Sequence, residues 1–139
     1  YKKPNGKLFA GPVWDFDATT NISARGNRTP QGIYVAEDVL LGSNISASEL
    51  YIELYKTEEF LTAVKTRWQQ ISHEISLFID DKLNEDIYEK YQKCMGKNFV
   101  LWDKKLQSEA EIEWVNDCRI LKHWFRDRIE WLNKHWRLT

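Results

Sequence analysis

Residues 109–136 read "EAEIEWVNDCRILKHWFRDRIEWLNKHW", and this stretch decides the fold. Val115, Cys118, Leu121, Phe125, Ile129, Leu132 and Trp136 recur at spacings of three and four, the repeat of one helix face. Trp114, Trp124 and Trp131 lie beside that stripe and widen it. So broad an apolar face predicts a long helix, from about Glu109 to Trp136, that neighbours cover on more than one side.

Working back along the chain, the same rhythm holds. Phe60, Val64, Trp68, Ile71, Ile75 and Phe78 form an amphipathic stripe, with Thr57 as N-cap and acidic residues in the first turn. A break or bend is expected around "DDKLNED" at 80–86. Ile87, Tyr91 and Met95 then carry a third helix to Gly96, read as its C-cap. "SELYIELY" at 48–55 is a short first helix. The expectation for 48–139 is therefore a bundle of about four helices.

The N-terminal part follows other rules. Asn5-Gly6 is a hairpin signal, because both central residues of a type I′ turn need φ > 0. It predicts a short β-hairpin within 1–17, the returning strand running from about Lys7 to Phe16. Residues 18–47 are rich in Gly, Asn, Ser and Thr and lack sustained periodicity, so they are read as a long loop. The loop holds three N-x-S/T patterns, at Asn21, Asn27 and Asn44, which matter only in a glycosylating host. The whole is mainly α, with a short hairpin and a long loop before the helices.

Composition bounds the function. The chain has 139 residues, 42% apolar and 29% charged, with a net charge of −1, which suits one ordinary globular domain. That charge gives no reason to expect nucleic acid or an anionic membrane as the partner. No apolar run approaches the roughly 20 residues of a membrane span. The first residue is Tyr1 rather than methionine, so the sequence is expected to be part of a longer protein. Cys94 and Cys118 form no metal motif; they read as two buried thiols, with a disulfide as the alternative in a secreted protein. The seven tryptophans read as a cross-packed core before they read as a sugar or peptide platform. His73, His123 and His135 are scattered and belong to no catalytic motif. "RDRIE" and "NEDIYEK" read as solvated helix faces paired at i,i+4.

The chemical candidate is "GPVWDFDATT" at 11–20. On an extended strand Asp15 and Asp17 share a face while Phe16 points to the core. Two carboxylates on one face repel unless a cation or donors lie between them. A carboxylate at a strand end followed by a substrate-facing segment is how kinase-type enzymes hold magnesium. The structural alternative is a turn or helix-cap pair. Arg25 and Arg28 in the following loop suit phosphate or an acidic substrate; their alternative is a solvated loop.

"KLFAGPVWDFD" at 7–17 resembles the signature of CotH-type atypical protein kinases, in which a strand ends in Pro-Trp-Asp-Phe-Asp. Here Val13 stands between Pro12 and Trp14. Similar landmarks follow: Arg67-Trp68 closing a helical stretch, Asn98 and Trp102 in "NFVLW", and "LKHWFRDRIEWLNKHW" at 121–136 as the closing helix. The resemblance implies the C-terminal portion of a kinase-like domain, with the acidic run as counterpart of the D-F-G segment. It implies Asp15 and Asp17 as ligands of a Mg2+ bound with ATP, and a protein hydroxyl as substrate. The lysine and the catalytic-loop Asp and Asn lie upstream of this motif in the family. A cell-surface, secreted or spore-coat location is implied as well. The alternative implied by the same family is a non-catalytic adhesion or binding module.

Overall fold

The computed structural model describes residues 4–7, 29–33, 49–103 and 106–137. Four helices account for most of them: α1 (Glu49–Tyr55), α2 (Glu58–Lys82), α3 (Glu85–Asp103) and α4 (Gln107–His135). The protein is mainly helical, and the described residues contain no strand. Residues 4–6 form a turn with Asn5 at φ 59°, the left-handed conformation that the Asn-Gly reading requires. The strands of the expected hairpin, and the loop of 18–47 apart from 29–33, lie outside the described residues.

Each boundary has a local cause. Between α1 and α2 the Thr57 hydroxyl does not cap α2; it donates back to the Leu54 carbonyl at 2.8 Å. Glu58 and Glu59 still complement the positive end of α2. The break expected near 80–86 falls at Leu83 and Asn84. The Leu83 N–H closes α2 on the Ile79 carbonyl at 2.9 Å. Asn84 serves both helices: its Nδ2 donates to the Asp81 carbonyl at 2.6 Å, and its Oδ1 accepts the Ile87 N–H at 3.0 Å. The second bond is an N-cap, satisfying one of the free donors at the start of α3.

Gly96 is not a C-cap. Helix α3 runs through it to Asp103, and Gly96 is buried against α4. A Cβ built there would lie 2.5 Å from the Glu111 Cγ and 3.5 Å from the Gln107 carbonyl oxygen. The glycine is a notch that lets α4 approach. Below it the antiparallel pair is pinned by the buried Tyr88, whose hydroxyl donates to the Cys118 carbonyl at 3.4 Å. The Trp114 indole donates to the Tyr88 carbonyl at 3.2 Å. Tyr88, not the exposed Tyr91, is therefore the inward ring of α3.

The other core lies between α2 and α4. Trp68, Ile79, Ile129 and Leu132 are buried together with Ile33, and Phe125, Trp131 and Trp136 pack around them. Ile79 replaces Phe78 as the last inward residue of α2, while Phe78 is 59% exposed. At 3.6 residues per turn Ile79 falls about 20° from Trp68 around the helix and Phe78 about 80°. The Trp68 indole donates to the Asn133 side chain at 2.9 Å and meets Trp136 edge-on, ring centroids 5.6 Å apart. All seven residues of the α4 stripe are at least half-buried, and α4 packs against both α2 and α3. It is the central helix.

Charged clusters pair both within and across helices: Glu130 of "RDRIE" meets Lys134 at i,i+4, 2.5 Å away, while other members reach a neighbouring helix. Asp80 of α2 receives Arg126 at 2.8 Å and Lys122 at 3.5 Å from α4. Glu85 of α3 takes both arms of Arg119, at 3.0 and 2.7 Å. The exposed Arg119–Glu85 and Arg126–Asp80 pairs add little stability. Cys118 is buried and Cys94 exposed, both as free thiols, so only one of the two is a core residue.

Candidate functional site

Asp15, Asp17, Arg25 and Arg28 all lie outside the described residues. The described segment next along the chain is 29–33, and its seat on the bundle is well defined.

That seat is made by Arg128 of α4. Its Nη1 donates to the Pro30 carbonyl at 2.9 Å and to the Gly32 carbonyl at 2.6 Å, reaching across 98 and 96 residues of sequence. The guanidinium lies 5.2 Å from the Trp131 ring centroid, a cation–π contact that steadies it. Gly32 has φ 100°, a conformation that a side chain would strain, and it turns the chain so that Ile33 enters the core. Thr29 Oγ1 donates to the Gln31 carbonyl at 3.3 Å and tightens the same bend. Tyr55, close by, is held above its ordinary pKa by burial, an effect that the charge of Arg128 partly offsets. A segment without secondary structure is thus anchored by one buried side chain and one cation.

Beside this anchor runs a shallow groove of about 620 Å³, between Pro30 and the α4 residues Asn116, Ile120, His123, Trp124 and Asp127. His123 places Nδ1 2.7 Å from the Arg119 carbonyl. A carbonyl only accepts, so Nδ1 carries the proton, and in the neutral ring Nε2 is the atom left to accept. Arg119, at the groove's edge, is committed to Glu85, and that bond with the nearby charge raises its pKa. No group of three or more His, Cys, Asp or Glu side chains that could hold a metal occurs among the described residues. The groove therefore offers an aromatic wall, an imidazole and a carboxylate, without a catalytic arrangement among them. All three histidines are exposed, as their scattered positions suggested.

Sequence reasoning missed Arg128. It sits in "RDRIE", which reads as a solvated charge cluster, and its partners are backbone carbonyls that no side-chain pattern marks. Trp102 was read as a landmark of the helical region; in the structure it is 74% exposed near the end of α3. Among the described residues no helix is long and apolar enough to cross a membrane.

Compared with known protein families, curated proteins and solved structures, the chain matches none of them.

Proposed function

We propose that this chain is the helical C-terminal portion of a CotH-like atypical protein kinase that transfers phosphate from ATP to a protein hydroxyl. The observation that carries the reading is the run "GPVWDFD" at 11–17, followed in order by Arg67-Trp68, Asn98, Trp102 and the closing helix. The mainly helical bundle agrees in class with the part of the domain those landmarks belong to.

On this reading Asp15 is the leading ligand of Mg2+ and Asp17 the second. Two carboxylates at alternate positions of an extended segment are a hard oxygen donor pair, which fits magnesium and does not fit a soft metal. The ion, when bound with ATP, neutralises charge on the phosphates. Arg25 and Arg28 reach phosphate or an acidic stretch of substrate. Arg128, Gly32 and Ile33 fix the far end of the segment that carries those arginines. The lysine and catalytic Asp and Asn come from upstream sequence, so the 139-residue chain alone is expected to transfer no phosphate. The setting is the cell surface, a secreted protein or the spore coat, as the family resemblance implies.

The test is transfer of labelled γ-phosphate by the full-length protein to a protein acceptor in magnesium. Asp15→Ala and Asp17→Ala are expected to abolish it, with circular dichroism unchanged. Undiminished transfer by both variants would remove the metal role.

A further inference from the structure

The groove between Pro30 and the outer face of α4 sets hydrogen-bond acceptors beside an aromatic ring. Asp127 only accepts when ionised, and it makes no ion pair among the described residues. His123 spends its Nδ1 proton on the Arg119 carbonyl, which leaves Nε2 as a second acceptor. Arg119, the cation among the described lining residues, gives its Nε and Nη2 to Glu85. Trp124 lines the same groove, one residue from His123 and three from Asp127. Its ring is half-buried and meets Phe125 edge-on, centroids 5.5 Å apart, a contact that fixes its plane.

The surrounding charge favours a cation there. Helix α4, taken with Asp80 and Glu85, the carboxylates its own cations reach on α2 and α3, holds eight carboxylates against five cations, a net charge of −3. The cations nearest the groove are already engaged. Lys122 and Arg126 turn to Asp80, and Arg128 lies on the Pro30 and Gly32 carbonyls. Asp127 is the charged group in the groove left to meet a ligand.

We infer that this groove holds an arginine side chain from an extended segment of a partner protein. The guanidinium stacks on Trp124, gives two parallel bonds to the Asp127 carboxylate and reaches His123 Nε2. A planar fork with five donors serves a ring and two acceptors at once; a lysine ammonium is a compact point charge and does not stack. The groove is longer than one side chain. From Asn116 to Asp127 α4 rises about 16 Å, the length of about five residues of extended chain. Ile120, 56% exposed, lies one helical turn from Trp124. That rise of about 6 Å matches the spacing of alternate residues on a strand. The partner segment therefore carries an apolar residue two positions from its arginine, seated on Ile120. The site stands on the groove alone and is independent of the kinase reading.

The experiment titrates an end-blocked peptide, Leu-Ser-Arg-Ser-Leu, into the isotope-labelled 139-residue chain and follows its amide and indole N–H signals by NMR. Shifts are expected at Ile120, His123, Trp124 and Asp127, and binding weakens as salt rises. Citrulline in place of the arginine keeps the shape without the charge and should weaken binding about tenfold. Asp127→Asn should weaken it by about the same factor, and Trp124→Leu about threefold. Absence of shifts at millimolar peptide overturns the inference, as does equal binding of the citrulline peptide or by Asp127→Asn. Free arginine that binds as tightly as the peptide overturns the extended partner. Binding that appears only after Arg25→Gln/Arg28→Gln also overturns it, because the chain's own arginine would then fill the groove. So does dimerisation of the free chain that Trp124→Leu abolishes, because a second copy would then cover it. Asp127 is exposed, so its variant is decisive even if Trp124→Leu folds poorly.

Discussion

Gly96→Ala has two opposed effects whose balance the structure sets. In a helix interior alanine is favoured over glycine by about 1 kcal/mol. At position 96 the new Cβ would stand 2.5 Å from the Glu111 Cγ, well inside contact, while the Gln107 carbonyl at 3.5 Å is tolerable. Glu111 must therefore leave its rotamer and its bond to Gln107. Relief of such overpacking costs about 1–3 kcal/mol. The expected sum is a loss of about 1 kcal/mol, which lowers Tm by about 3 °C in a chain of this size. Glu111→Ala removes the obstructing atom. In that background Gly96→Ala should instead stabilise by about 1 kcal/mol. Urea unfolding of the four species, followed by helical circular dichroism, gives a coupling of about 2 kcal/mol between the two sites. A coupling near zero, with Gly96→Ala stabilising in both backgrounds, would refute the close approach of α3 and α4.

Trp68→Ala should cost about 3–5 kcal/mol and Trp68→Phe about 1 kcal/mol, the latter from the lost bond to Asn133; denaturant midpoints check both. Arg128→Ala should accelerate amide exchange across 29–33 and cost about 1–3 kcal/mol, since two carbonyls lose a charged donor. Thiol titration should find Cys94 reactive at once and Cys118 only after unfolding. Burial pushes the Cys118 thiol from 9.0 up to about 11, and burial raises Tyr88 too. Between those values the unfolded thiol is ionised and the native one is not. Stability is therefore full below about pH 9 and falls as pH rises toward 11, a slope that Cys118→Ala should flatten.

Helix periodicity made α4 legible nearly to the residue, because its apolar stripe faces partners on two sides and every stripe position is used. The turn between α2 and α3 was legible for a similar reason: polar residues crowd at 80–86, and Asn84 is a good cap. The errors share a cause. Gly96 looks like a helix end until a second helix is placed beside it, and a close approach leaves no local mark. Phe78 and Ile79 differ by about 100° around the helix axis, and Tyr91 and Tyr88 by about 60°. Only the direction of the neighbouring helix decides which of each pair turns inward. Charge clusters were legible in part: Glu130 pairs with Lys134 at i,i+4 as read, whereas Glu85 and Arg126 find Arg119 and Asp80 on other helices. Of the candidate site, the acidic run at 15–17 is legible as a motif alone, and the part that the structure does give, the Arg128 anchor, depends on backbone carbonyls that sequence does not single out.

Calorimetry of Mg·ATP binding to the full-length protein, wild type against Asp15→Ala, tests the proposed metal role most directly. The carboxylate is expected to lie off the core, so the melting curve without nucleotide should not move. Magnesium draws on substrate phosphates as well as one or two carboxylates, so losing the leading carboxylate should abolish magnesium-dependent nucleotide binding. The 139-residue chain, without the upstream ligands, should bind the ion no more tightly than millimolar. Unchanged Mg·ATP binding by an Asp15→Ala protein that melts like the wild type would make Asp15 a structural carboxylate and contradict the account.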